Sequence, residues 1–265
     1  MKPDPATHIR LNADWPAISI LHEDSDLFVL DKPAGLPVVA DRWKRSTEPL
    51  MDLLQTALRD DRPWARDRGI TYLAPAHRME EWTSGILILA RSKPALASLA
   101  RQFRRQPPKR TYLALVQGAL PKDTMEIDLP LSPSQTVPGL SVVDRTHGRP
   151  AATRFDLIER FRGYSLVKVE PATDRLHQIR VHLKSVGCPL VADTEYGTDQ
   201  WLMLSRLKKD YRMKREGERP LLNRTALHAE EIEIRQPVTG APLKLTAPWP
   251  KDITIAVKYL RKFAS

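Results

Sequence analysis

The stretch Ala76-His77-Arg78-Met79-Glu80-Glu81-Trp82-Thr83-Ser84-Gly85 runs directly into Ile86-Leu87-Ile88-Leu89-Ala90. The second run is short, aliphatic and partly β-branched, and Gly85 precedes it, so it reads as a buried strand. Charged groups at the mouth of a buried strand are costly to desolvate, and must be hydrogen-bonded, paired or functional. One reading is a loop salt bridge from Arg78 to Glu80 or Glu81. The other is a functional carboxylate, which can serve as nucleophile or as base. A second cluster, Arg175-Leu176-His177-Gln178-Ile179-Arg180-Val181-His182-Leu183-Lys184, concentrates cations and imidazoles. On a helix Arg180 and Lys184 share a face. His177 and His182 fall on different faces, and no matching carboxylate motif follows, so no metal site is expected.

The elements that must carry these groups can be placed by pattern. Ile18–Glu23 and Leu27–Asp31 read as strands joined by the turn Asp24-Ser25-Asp26, and Lys32-Pro33-Ala34-Gly35 forces a turn after the second. A helix follows, capped by Thr47, with Leu50, Leu53, Leu54, Ala57 and Leu58 on one face. Asp60–Gly69 reads as an irregular surface loop. Ser92 caps another helix, whose buried stripe is Leu96, Leu99, Ala100 and Phe103. Arg101, Arg104 and Arg105 in its last turns, with Lys109 and Arg110 beyond, suit the helix dipole or form a phosphate-contacting ridge. Thr111–Val116 is a strand, residues 121–150 a loop excursion with little strand, and Phe155–Glu159 with Tyr164–Glu170 a hairpin-like pair. Thr173 or Asp174 caps a helix with Ile179, Leu183 and Val186 inward, ended by Gly187. His228–Arg235 and Leu243–Thr246 are strands around the turn Pro237–Gly240, and Ile253–Phe263 is a closing helix.

Composition bounds the class. The 265 residues are 42% hydrophobic and 28% charged, as in soluble globular proteins. A formal charge of +10 and a pI near 9.8 point to a polyanionic partner, nucleic acid above all. Between Arg206 and Arg224 there are eight Lys or Arg residues against three acids, so this segment, Lys208 and Lys209 included, is a candidate RNA-backbone contact. The single cysteine, Cys188, forms no internal disulfide; it fits a reducing, cytoplasmic setting and a small core position. Neither a membrane span nor a signal-peptide core is visible. Residues 1–16 read as a loosely ordered lead-in, and 17–265 as one catalytic-type domain.

Taken together, the motifs resemble the RluA-like family of RNA pseudouridine synthases, from about Ile18 to Pro250. Leu27-Phe28-Val29-Leu30-Asp31-Lys32-Pro33-Ala34-Gly35-Leu36-Pro37 matches at the N-terminal side. The stretch at Glu80 resembles the H-R-L-D-x-x-T-S-G signature, and Arg110–Gly118 resembles the tyrosine strand. Arg175–Leu183 resembles R-x-H-Q-I-R-x-H, continued by Gly187–Asp193 and Tyr196-Gly197. Leu227-His228-Ala229 and Pro237–Gly240 complete the match. Any one block is weak, but six in order are specific. An S4-type RNA-binding domain is not expected ahead of Ile18.

The resemblance implies an α+β fold with a mixed, largely antiparallel central sheet flanked by helices. It implies isomerisation of uridine to pseudouridine in rRNA or tRNA, without cofactor or metal. The base is detached from C1′, turned and rejoined through C5. A carboxylate beside the anomeric carbon acts as nucleophile or base. By the same resemblance Arg180 holds that carboxylate ionised, Tyr112 stacks on the flipped uracil, and Arg78 helps hold the displaced nucleotide. Thr83, His177 and Ile179 match substrate-binding positions. Arg101, Arg104, Arg105, Lys109, Lys208 and Lys209 would grip phosphates.

One departure matters. The family's catalytic aspartate falls on Glu80, with the register fixed by His77-Arg78 before it and Thr83-Ser84-Gly85 after it. Glutamate keeps the charge but sets the carboxylate one methylene further out, and a misplacement of about 1 Å can cost on the order of 100-fold in rate. Met79 and Trp82 are bulky neighbours. Three readings stand open: a retuned nucleophile, a crippled one, or a catalytically inactive relative that only binds RNA.

Overall fold

The computed structural model describes residues 7–40, 47–105, 107–197, 201–213 and 216–265. The chain forms two units, one of the residues up to Arg110 with Ala229–Pro248, the other of Thr111–His228 with Trp249–Ser265. The first begins with β1 (His8–Ile9), β2 (Ile18–Glu23) and β3 (Leu27–Lys32). The expected lead-in is therefore partly structured. Ile9 and Leu11 are buried in a cluster with Ile18, and His8-Ile9 pairs with β2. Asp24 makes the β2–β3 turn by accepting the N–H groups of Asp26 and Leu27 on Oδ1, at 2.8 and 2.7 Å.

Helix α1 (Leu50–Arg59) buries Leu50, Leu53, Leu54 and Ala57, as their spacing predicts. Its cap differs from expectation. Pro49 is the N-cap, and no side chain caps the helix. The N–H groups of Leu50 and Met51 instead donate to the carbonyls of Pro37 and Val38, so Thr47 has no capping work to do. The charged stretch after it is less irregular than expected, because α2 (Pro63–Arg66) buries Trp64, which stacks on Phe28. Short β4 (Ala74–Pro75) pairs with β5 (Ser84–Ala90), which is buried at every position. β5 also pairs antiparallel with β3. Then α3 (Lys93–Arg105) starts at Ser92, whose Oγ accepts the Ala95 N–H at 3.2 Å, as the sequence implies.

In the second unit the sheet order is β6-β11-β10-β7, from β6 (Lys109–Gln117), β7 (Thr124–Asp128), β10 (Ala152–Phe161) and β11 (Tyr164–Pro171), while β8 (Leu131–Pro133) and β9 (Ser141–Val143) form a separate pair. Residues 121–150, expected as a loop excursion with little strand, thus hold three short strands. In β7 Ile127 is buried and Met125 half-buried between polar neighbours, an alternation too short to stand out among the surrounding Pro and Asp residues. Helix α4 (Gln178–Ser185) and one-turn α5 (Leu204–Leu207) follow. The chain returns through β12 (Leu227–Arg235), which pairs with β13 (Pro242–Thr246) in the first unit. It ends in α6 (Lys251–Phe263), whose Ile253, Ala256, Val257 and Leu260 join the second unit's core. The fold is α+β, and the strand pairs described here are antiparallel. Among the described residues, no helix is long and apolar enough to cross a membrane.

Candidate active site

The loop bearing Glu80 is pinned at both ends. At the start, Ala76 N–H donates to the Ile88 carbonyl at 2.9 Å. His77 Nε2 accepts the Ile88 N–H at 3.1 Å, and its ring stacks on Phe103 at 5.3 Å. At the other end, the Glu81 carbonyl accepts the Gly35 N–H at 2.9 Å and the Lys32 ammonium at 3.1 Å. Lys32 is fully buried and also donates to the carbonyls of Pro33 and Leu36, both at 2.8 Å. Carbonyl dipoles thus replace the water that a buried ammonium loses.

Between these anchors the Thr83 N–H closes a turn on the Glu80 carbonyl at 3.2 Å, with Thr83 and Ser84 buried and Glu80 half-buried. Met79 packs on the apolar cluster of this unit, whereas the Trp82 indole lies over Gly35, 48% exposed. Gly85 has φ +110°, and a Cβ there would stand 2.2 Å from the Ala229 carbonyl oxygen. Only glycine lets these strands approach so closely. One expectation is corrected here. Arg78 is exposed, and among the described residues it pairs with neither Glu80 nor Glu81.

In the second unit, Arg180 is held on three sides. Its Nε donates to Asp193 Oδ2 at 2.8 Å, and its Nη2 to Asp193 Oδ1 at 2.6 Å and Glu195 Oε2 at 2.7 Å. The guanidinium carbon sits 4.7 Å from the centre of the Tyr196 ring. Asp193 is wholly buried, and its Oδ1 also takes the N–H groups of Glu195 and Tyr196, both at 3.1 Å. Tyr196 Oη accepts the Ser141 N–H at 2.7 Å and lies 2.8 Å from His177 Nδ1. Arg180 and His177 are therefore joined through one tyrosine. Ile179 is buried in a cluster against which Tyr112 packs.

The start of α4 departs from expectation. Neither Thr173 nor Asp174 caps it; the N-cap is His177 in the left-handed region at φ +56°. Gln178 explains the shift. Its Oε1 accepts from Thr173 Oγ1 (2.8 Å) and the Arg175 N–H (3.1 Å), and its Nε2 donates to Ala152 O and Thr153 Oγ1. The Thr173 hydroxyl is thereby committed, and the 173–177 turn is fixed before the helix begins. Gly187, φ +74°, ends it as predicted. His182 is a core histidine: Nδ1 meets Thr153 Oγ1 and Nε2 meets Leu129 O, and burial pushes its pKa down.

Of the basic residues, Arg101, Arg104, Arg105, Lys109, Lys208 and Lys209 are exposed. Arg110 and Arg224 are not. Arg224 is buried, and its guanidinium pairs with Asp252 at 2.7 and 3.0 Å, so the basic run ends in a structural ion pair rather than an RNA contact.

A family model described as RNA pseudouridylate synthase matches residues 26–185, which include Glu80, Tyr112 and Arg180. The chain belongs to the RNA pseudouridylate synthase family. It is 34% identical over 243 residues to ribosomal large subunit pseudouridine synthase C of Haemophilus ducreyi, covering 91% of this chain and 69% of that protein. The protein of the same name from Escherichia coli is 32% identical over 243 residues, covering 91% and 70%. The fold is that of the human RNA pseudouridylate synthase domain containing 4, with a TM-score of 0.68 at 22% identity over 91% of this chain and 92% of that one. As a pseudouridine synthase the chain is an isomerase. Within this family member, Asp193 and Glu195 are the partners that sequence reading missed. Their signal was present: Asp193 lies in a matched block, 13 residues after Arg180.

Proposed function

We infer that this synthase isomerises uridine in large-subunit ribosomal RNA, in the cytoplasm, through Glu80. In this reading the Glu80 carboxylate acts at C1′, as nucleophile or as base, while the N1–C1′ bond breaks. Tyr112 stacks on the uracil as it turns, and Arg180 keeps the reacting carboxylate ionised. The C5–C1′ bond then forms, the C5 proton leaves to solvent and N1 gains one. Thr83, His177 and Ile179 line the uridine site, and exposed Arg78 holds the displaced nucleotide. Arg101, Arg104, Arg105, Lys109, Lys208 and Lys209 contact RNA phosphates, which predicts salt-dependent binding.

The observation that carries this reading is the immobilisation of Arg180 by Asp193, Glu195 and Tyr196. An arginine that merely met phosphates would have no need of a fully buried carboxylate partner, which is expensive to desolvate. The names of the relatives support the choice of large-subunit rRNA. One feature favours a second reading, RNA binding without turnover: Glu80 is a methylene longer than the family's aspartate.

The test is tritium release from C5-labelled uridine in rRNA and tRNA transcripts, for the native protein and Glu80→Ala. Release from rRNA that vanishes in the variant supports the reading. Absence of release from every RNA, with both proteins binding equally, would leave the binding-only relative.

A further inference from the structure

In the second unit, where β6 ends and the β10–β11 hairpin turns, there is a hollow of about 170 Å³. Two of the residues lining it, Val191 and Leu202, are buried. Two are aromatic, Tyr164 and Trp201, and two carry polar heads, Gln117 and Arg206. Its backbone is fixed. Tyr164 pairs with Gln117 across β11 and β6, the Gly118 N–H donates to the Gly163 carbonyl at 2.8 Å, and Leu202 bridges to Leu222. Gly163, at φ +80°, leaves open space where a side chain would stand.

The chemistry of this lining is specific. Trp201 is 49% exposed beside buried Val191 and Leu202, and an indole is a residue type on which a planar ring can stack. Burial pushes the Tyr164 phenol up and the charge of Arg206 works against it, which puts that charge beside the hollow. Lys208 and Lys209 stand exposed just past α5. The volume is below the roughly 300–1,000 Å³ of pockets that enclose a drug-sized ligand. A single planar group with an anionic neighbour suits it.

We propose that the hollow takes one unpaired base of the bound RNA, stacked on Trp201, with the adjoining phosphate at Arg206 and the base edge at the Gln117 amide. Gln117 lies five residues along β6 from Tyr112, about 17 Å at strand rise. That is several times the ~3.4 Å spacing of stacked nucleotides, so the base held here is not the one that reacts. The subsite rests on the RNA-binding part of the functional reading and not on turnover.

The experiment uses the full chain carrying Glu80→Ala and a large-subunit rRNA transcript substituted with 4-thiouridine. After irradiation the cross-linked peptides are mapped by mass spectrometry. A cross-link in the peptide holding Trp201 or Tyr164, lost in Trp201→Ala and kept in Trp201→Phe, is expected. RNA affinity should fall about 5- to 100-fold in Trp201→Ala, the loss of one base–aromatic stack. Arg206→Ala should weaken binding and flatten its salt dependence. Cross-links confined to the peptides of Tyr112 and Arg78, with unchanged affinity in Trp201→Ala, would overturn the subsite and leave the uridine site standing. A Trp201 cross-link in a protein that releases no tritium before the Glu80 change would keep the subsite and remove the catalytic reading.

Discussion

The buried ammonium of Lys32 donates to the backbone carbonyl of Glu81, 49 residues further along the chain, at 3.1 Å. Glu81 adjoins Glu80, so this bond fixes the carboxylate's loop from inside the protein. Lys32→Met keeps most of the apolar stem but leaves the carbonyls of Pro33 and Leu36 without this donor, while the Glu81 carbonyl keeps the Gly35 N–H. Each buried polar group so orphaned costs roughly 1–3 kcal/mol. Denaturant titration should therefore show a clear loss of stability in a variant that still folds. Turnover should fall further than stability explains, on the order of 100-fold, because the loop loses an anchor and a misplacement of about 1 Å can cost that much. Native turnover in folded Lys32→Met would show that the Gly35 N–H alone suffices to hold the loop.

Asp193→Asn tests the role proposed for Arg180. The amide still accepts the Glu195 and Tyr196 N–H groups, but it removes the negative charge from a fully buried site facing Arg180. Breaking one side of a buried ion pair costs about 3–5 kcal/mol. Because Glu195 remains, the arginine should stay in the site while losing its aim. The expected signature is a fall in kcat of about 100-fold with KM changed only slightly. If Asp193 only braces the fold, kcat below the melting range will match that of the native protein.

Glu80→Asp addresses whether the pocket is built for the longer acid. Met79, packed into the core, and Trp82, seated over Gly35, flank the loop at fixed positions. Shortening the side chain by one methylene should then withdraw the carboxylate and lower tritium release roughly 100-fold, with RNA affinity preserved. Faster release from Glu80→Asp would mean that the native glutamate is a handicap rather than an adaptation.

Much of this is legible in the amino-acid sequence. An aliphatic run announces β5, the Ser92 cap announces α3, and the order of the motifs announces the family. What escaped reading depends on partners distant in sequence. Thr47 is a good cap by type, but the helix N–H groups find Pro37 and Val38 instead. Thr173 is another, and Gln178 occupies it. Arg78 sits close enough in sequence to pair with Glu80, yet in the fold it is exposed and, among the described residues, makes no such pair. Arg224 adds to a basic run on paper, while in the fold Asp252 neutralises it. Local propensity reads elements well; it cannot say which of several possible acceptors a donor will meet.

The Arg224–Asp252 pair makes the protein sensitive to acid. Burial acts to raise the Asp252 carboxyl, but the Arg224 hydrogen bonds and charge, with the Ile253 N–H, outweigh it and hold the pKa below the usual carboxylate range. A group whose folded pKa is depressed stabilises fully above its unfolded pKa, near 4, and loses that contribution as pH falls through the folded value. In the acid range the unfolded chain takes up the proton first, so stability drops with pH. Asp252→Asn should cost about 1.5–3 kcal/mol at neutral pH, toward the lower end because Asp252 is 38% exposed at the side chain. Denaturant titrations of both proteins between about pH 7 and pH 3 should show the gap between them narrowing below about pH 4. A gap that stays constant to the acid end would mean that the carboxylate's charge contributes nothing and that the cost of the substitution comes from packing or from hydrogen bonding that does not depend on charge.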